Sequence, residues 1–238
     1  MRFEALHNFR DIGGYAGAGG RLVRRELLYR SDSLGKLRGR DAEQFARLGV
    51  RTVIDLRYPW EIAAAGRVPA YPGLAYHNCS IEHRPYDQAS LGADLDPVRF
   101  LADRFAEVLA DGRTEIGQAL QLIAGEGSTP LVIHCASGKD RTGLLVALVL
   151  SLLGVGAADI GADFALTELA TGRLRADWQA AHPGRELRWP FYGRAPAGLI
   201  LLVLAELAAT YGPARDYVTG YLGQPASLID ELQDRYLG

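Results

Sequence analysis

The chain has 238 residues, 48% of them apolar, and a formal net charge of −2. That is enough for one domain, residues 1–238, with a substantial core, and the near-neutral balance argues against nucleic acid or an anionic membrane surface as partner. Two cysteines, Cys79 and Cys135, do not form a disulfide framework, and Met1 to His7 lacks the apolar core of a signal peptide.

The longest apolar runs, Leu144 to Leu153 and Gly198 to Leu204, fall short of the about 20 residues that span a bilayer. No integral membrane segment is therefore expected. A cytoplasmic location is the default, with export by a route that lacks a cleaved signal left open. Oligomeric state is not legible.

In chain order, Gly13 to Gly20 is glycine-rich but follows no clear strand and opens no helix, so it fails the test for a dinucleotide loop. It reads as a turn before a short strand, Leu27 to Tyr29. Asp41 to Leu48 reads as a helix with Asp41 as its cap. Arg51 to Leu56 and Leu74 to Cys79 read as strands, and Ser80 to Pro97 as a polar loop. Val98 to Leu109 and Glu115 to Ala124 have apolar residues at helical spacing. Leu131 to His134 reads as a buried strand and Thr142 to Leu153 as a buried helix. Helices are then expected at Ala157 to Ala170, in short pieces within Thr171 to Gly193, and at Ala197 to Thr210, Pro213 to Leu222 and Ser227 to Tyr236. Early alternation of strands and helices followed by helices alone predicts an α/β fold: a central, mainly parallel sheet flanked by helices, with a helical C-terminal part.

The chemistry concentrates in His134-Cys135-Ala136-Ser137-Gly138-Lys139-Asp140-Arg141-Thr142-Gly143. Strand, tight loop and helix cradle an anion, because loop N–H groups converge while the helix N-terminus adds partial positive charge. A cysteine held there is a thiolate nucleophile. Arg141, six positions on, can hold two phosphoryl oxygens in its planar fork. The expected phosphate cradle is Ala136, Ser137, Gly138, Lys139, Asp140, Arg141 and Thr142. Gly138 supplies a backbone angle that a side chain would resist. Lys139 is notable because only one other lysine, Lys36, occurs.

This loop resembles that of the protein tyrosine phosphatase superfamily, whose hallmark is Cys, five residues, Arg. The Gly-Lys-Asp-Arg-Thr-Gly variant is similar to an atypical bacterial branch that acts on phosphotyrosine and, in some members, phosphoinositides. Asn8-Phe9-Arg10-Asp11-Ile12-Gly13-Gly14, Tyr29-Arg30-Ser31-Asp32 and Val53-Ile54-Asp55-Leu56-Arg57, with Glu61 nearby, match that branch in order, as does Tyr211 to Tyr221. The resemblance implies a phosphotyrosine protein phosphatase-like fold and hydrolysis of phosphotyrosine through a phosphocysteine, without cofactor or metal. Phosphoserine, phosphothreonine (dual specificity) and phosphoinositide substrates stay open.

In that reading Cys135 attacks phosphorus and Arg141 holds the charge of the transition state. His134 fixes the loop, and the Thr142 hydroxyl serves the sulfur or else caps the helix. The leaving-group acid is Asp140, unless Asp140 only makes a salt bridge that holds the loop, with Asp87 as second choice among Glu82, Asp87, Asp94 and Asp96. Arg10, Asp11, Asp32 and Arg57 bracket the pocket or pack. For phosphoinositides, His83 and Arg84 are the cations available to the rim.

Cys79 is expected to end a strand beside that of Cys135, so that the two could form a disulfide, or else to be a small buried residue. A zinc site at His77, Cys79 and His83 is disfavoured because the cluster is too small. The alternatives to a phosphatase are a catalytically weak phosphate-binding module and a sulfur-transfer or arsenate-reducing enzyme, since the latter also place a cysteine in an anion loop.

Overall fold

The computed structural model describes residues 3–238. In chain order its main elements are β1 (Arg10–Asp11), β2 (Leu28–Ser31), α1 (Gly39–Arg47), β3 (Thr52–Asp55), α2 (Pro59–Ala65), β4 (Ala75–Asn78), α3 (Pro97–Asp111), α4 (Arg113–Ala124), β5 (Leu131–His134), α5 (Asp140–Leu152), α6 (Ala157–Ala165), α7 (Thr171–Ala181), α8 (Ala197–Tyr211), α9 (Ala214–Asp216) and α10 (Ser227–Tyr236).

The five strands form one sheet in the order β1-β2-β5-β3-β4. Four run parallel, and β1 adds an antiparallel edge to β2. The register aligns Ser31, His134, Asp55 and Asn78, the last residues of β2, β5, β3 and β4. All four following loops therefore leave the same edge of the sheet, where ligands bind in open α/β folds.

Alternation along the strands fixes which face each helix covers. Leu28, Ile54, Leu131 and Ile133 join the core beneath α3, α4 and α5, while Tyr29, Val53 and Val132 pack with Phe45 of α1 and with Phe3 and Leu6 on the other face. Every residue of α5 from Thr142 to Leu150 is buried, as its nearly unbroken apolar run requires. Among the described residues no single helix is long and apolar enough to cross a membrane.

Several local expectations change. Helix α2 forms between two expected strands, where no element was expected: Pro59 occupies its first turn, and Glu61 accepts the Tyr58 N–H at 2.8 Å. Asp41 is not a cap. It lies within the first turn of α1 and accepts the N–H groups of Glu4 (2.9 Å) and Ala5 (2.7 Å), tying the N-terminal segment down. The segment from Pro213 to Leu222 is a short α9 followed by a π-type turn, Tyr217–Tyr221, rather than one helix. Cys79 directly follows β4, which is separated from β5 by β3, so it is not beside the strand that feeds Cys135. Two inter-strand spacings of about 4.8 Å each exceed the Cα separation that a disulfide tolerates.

Close packing of α5 on α6 depends on Gly143, where a Cβ atom would lie 2.6 Å from the Phe164 ring. Gly143→Val is expected to cost about 1–3 kcal/mol through overpacking, measured as a lower urea midpoint with an unchanged m-value.

Candidate active site

Cys135 directly follows β5 and is almost fully buried. The loop after it is shaped by where its carbonyls are held. The Ala136 carbonyl accepts the Ser33 N–H at 3.0 Å. The Asn8 side-chain amide donates to the carbonyls of Ser137 and Gly138, both at 3.0 Å, and Arg30 donates to Gly138 at 2.8 Å. A trans peptide points its N–H opposite to its C=O. Three carbonyls drawn outward therefore turn the N–H groups of Ser137, Gly138 and Lys139 inward, which is a nest for an anion. Gly138 is indispensable to this path: its φ is +67°, and a Cβ would lie 2.4 Å from the Ser31 carbonyl oxygen.

The groups that hold the loop are themselves held. Asp32 is fully buried and accepts the N–H groups of His7 and Asn8 at 3.0 and 3.1 Å, which positions the Asn8 amide. Arg30, also fully buried, pairs with Asp163 of α6 at 2.5 Å, and Arg10 reaches the same carboxylate at 3.0 Å. Burial drops the Arg30 guanidinium to about 10, still charged at neutral pH. Burial alone would raise Asp163, but the two arginines outweigh it and hold the carboxyl below its ordinary value. Asp163 was missed in sequence, where it reads as one more polar residue of an amphipathic helix.

Behind the cysteine, the His134 ring lies 3.2 Å from the Cys135 carbonyl through Nδ1 and 3.5 Å from Asp55 through Nε2. A carbonyl only accepts, so Nδ1 carries the proton of that contact. Burial keeps the imidazole below its ordinary value despite Asp55, so the ring is neutral. Asp55 and Arg57 form a buried fork at 2.9 and 2.6 Å, and Arg57 continues to the Ser33 hydroxyl at 3.0 Å. Arg57 thus braces the residue whose N–H holds Ala136. The Thr142 hydroxyl is buried with no hydrogen-bond partner among the described residues, which leaves it free for a group above the loop. Lys139 is buried as well, its Nζ 3.3 Å from Asp140, and not the solvated charge a loop lysine usually is.

Arg141 meets Glu61 of α2 through both terminal nitrogens, at 2.5 and 2.9 Å, and lies over the Tyr58 ring. Against burial, the Glu61 bonds push its guanidinium further up, so it stays charged. A guanidinium has five N–H donors, so this fork still leaves hydrogens for a phosphoryl oxygen. Glu82, on the loop after β4, stands 3.6 Å from its Nε.

Two expected site residues lie elsewhere. Asp11 accepts the N–H groups of Gly13 and Glu26, both at 2.8 Å, and so braces the turn between β1 and β2 rather than the pocket. Asp87 is half exposed, caps the turn at Gln88–Ser90 and pairs with Arg185 at 2.6 Å. Against the push of partial burial, Arg185 holds its carboxyl low, which leaves it a poor proton donor. The rim cations His83 and Arg84 are taken by Glu115 at 3.2 Å and Asp111 at 2.6 Å.

A cleft of about 350 Å³ opens beside Ala136 and Ser137, walled by Trp60, Leu174, Trp178 and Tyr192 with Lys36 at its edge. A larger depression of about 1010 Å³ lies near Thr52 and Ala75, at the opposite ends of the strands, and holds no comparable set of reactive groups.

The Tyrosine phosphatase family profile matches residues 1–238. The chain belongs to the tyrosine phosphatase family. A protein of Cupriavidus necator is 31% identical to this phosphatase over 220 residues, covering 89% of this chain and 75% of its own. A tyrosine-protein phosphatase of Nostoc commune is 30% identical over 227 residues (88% and 74%). The triple specificity protein phosphatase PtpB of Mycobacterium tuberculosis is 28% identical over 197 residues (71% and 69%).

Replacing Asp163 in this phosphatase by Asn leaves Arg30 buried without its counter-charge, expected to cost about 3–5 kcal/mol. Because the Asp163 carboxyl is depressed in the folded state, its contribution is whole at neutral pH and is lost as pH falls below about 5. Urea unfolding at pH 7 and pH 4 should show a smaller loss on acidification for Asp163→Asn than for the wild type.

Proposed function

We propose that this protein-tyrosine phosphatase works through a phosphocysteine on Cys135. The carrying observation is the outward tethering of the Ala136, Ser137 and Gly138 carbonyls, because it aims a ring of N–H groups at the place where a phosphoryl group would sit above the sulfur. Cys135 attacks phosphorus in line, and Arg141 and the N–H ring take the spread negative charge. Asp140 supplies the proton to the leaving phenol, and water then cleaves the S–P bond. Thr142 donates to the departing sulfur in that second step. Arg57, Arg10, His134 and Asp32 act through the loop they hold.

Phosphotyrosine is the substrate class that the cleft supports best. Its walls are aromatic and apolar, suited to a phenyl ring. The cations that a polyphosphorylated headgroup would need are paired: Lys36 with Asp32 and Asp177, His83 with Glu115, Arg84 with Asp111. The relative from Mycobacterium tuberculosis carries triple specificity in its name, so phosphoserine and phosphoinositide are the comparison substrates.

The test is phosphate release from a phosphotyrosine peptide with chelator present. Cys135→Ser is expected to abolish release while leaving the unfolding free energy within about 1 kcal/mol of wild type. Trp60, 60% exposed and stacked on Tyr58 at 5.3 Å, is expected to act in binding. Trp60→Ala should raise KM for the peptide about tenfold with kcat nearly constant, the signature of lost uniform binding, and should change turnover of a phosphoserine peptide much less. Wild-type protein inactive on the phosphotyrosine peptide would overturn the reading.

A further inference from the structure

We propose that Asp177 and Lys36 are positioning residues for the phosphotyrosine ring: their ion pair fixes α7 against the cradle, so that Leu174 and Trp178 form a wall for the substrate. This role rests on the phosphotyrosine reading above and extends it to a second wall of the cleft. Helix α7 has little apolar anchorage of its own. Leu174 is its one buried residue and belongs to neither apolar core, and Trp178 is half-buried and outside both cores as well. Yet Leu174, Asp177, Trp178 and Ala181 all line the cleft beside Ala136 and Ser137. An element with so few buried contacts takes its position from other ties.

Most of those ties are local. The Thr171 hydroxyl donates to the Gly193 carbonyl at 2.9 Å, Arg175 donates to the carbonyls of Pro190 and Tyr192 at 3.2 and 3.4 Å, and the Trp178 ring stacks on His182 at 4.6 Å. They join α7 to the segment after it, which buried Trp189 anchors in the core. Among the described residues, Asp177 is the α7 side chain that makes a polar contact with the part of the chain that braces the loop. Its Oδ2 lies 2.5 Å from Lys36 Nζ and 3.1 Å from His7 Nε2. Lys36 also bonds Asp32 at 3.0 Å. Asp32 accepts the N–H groups of His7 and Asn8, and the Asn8 amide tethers the Ser137 and Gly138 carbonyls. Lys36 closes the turn that starts at Ser33, whose N–H holds the Ala136 carbonyl. Both partners of Asp177 therefore belong to the network that shapes the cradle.

An ordinary surface ion pair contributes little, because two flexible side chains must be ordered to make it. Here the fully buried Asp32 already orders Lys36, so the bond to Asp177 restrains only one further, short side chain. Against the push of burial, Asp32 and Asp177 hold the Lys36 ammonium above its ordinary value, so the bridge stays charged at neutral pH. The geometry matters because dispersion falls off steeply: a gap of about 1 Å forfeits up to about half of the attraction between the atoms across it. A wall set loose from the cradle would therefore bind a phenyl ring less well and leave the chemistry at Cys135 as it was.

The test compares wild type, Asp177→Ala, Trp178→Ala and the double variant on a phosphotyrosine peptide, with inorganic phosphate as a competitive inhibitor that reports on the cradle alone. Asp177 is 42% exposed and sits within a helix, where alanine is well accepted. Each single change is expected to raise KM for the peptide about tenfold, with kcat and the inhibition constant of phosphate both within about twofold of wild type. The double variant should show a KM within about twofold of the higher single one, because both changes act through one wall. A wild-type KM in either single variant, losses that multiply in the double variant, or phosphate inhibition weakened as much as peptide binding would overturn the proposal. If Asp177→Ala does not fold, Asp177→Asn decides in its place: the amide keeps the shape and loses the charge, and a wild-type KM excludes the role. Phosphate release that is present in wild type and absent in Cys135→Ser keeps the phosphatase reading whatever Asp177 does, and wild-type inactivity on the peptide ends both.

Discussion

The site depends on one constraint: three consecutive loop carbonyls point away from the space above Cys135 because backbone and side-chain donors hold them from outside. A free loop of small residues would place these dipoles at random, and converging N–H groups repel one another in the absence of an anion. The energy that holds them comes from outside the loop. Arg30, Asn8 and Ser33 provide it, and Asp163, Asp32 and Arg57 hold those three in turn. The nest is therefore shaped by the fold itself, and preformed donors of this kind are the condition for electrostatic stabilisation without reorganisation.

The same logic accounts for the placement of charge. Most of the buried ionic groups work in pairs: Asp55 with Arg57, Asp163 with Arg30 and Arg10, Glu61 with Arg141. Each pairing offsets a desolvation penalty that an isolated charge would not survive. Lys139 and Asp140 pair with each other at 3.3 Å, and the Thr142 hydroxyl is buried without a hydrogen-bond partner among the described residues. All three belong to the loop or to the first turn of α5.

Much of this was legible along the chain and some was not. Strand β5, the loop and α5 could be read because an apolar run, a glycine and a second apolar run are local signals. The parallel sheet followed from alternating elements. Helix α2 was missed because Pro59 and three alanines carry little apolar periodicity, although Pro followed by Glu61 is a start signal. Asp41 and Asp87 show how short polar residues mislead: each fits a helix-start or acid role by spacing, yet one anchors the N-terminal segment and the other pairs with Arg185. Cys79 misled for a topological reason, since order along the chain does not give order across a sheet.

By itself the sequence singled out the candidate loop, since Cys135, Gly138, Lys139, Asp140 and Arg141 lie within seven consecutive residues and form a local signal. Tertiary structure alone decided which distant groups complete it. Asn8 reaches across 130 residues to Gly138, Arg30 joins the loop to Asp163, and Glu82 and Asp140 meet in one recess although 58 positions separate them. Such partnerships leave no periodic trace in a chain, because a hydrogen bond or an ion pair depends on distance in space, and only the packing of α2, α3, α5 and α6 around the sheet sets that distance.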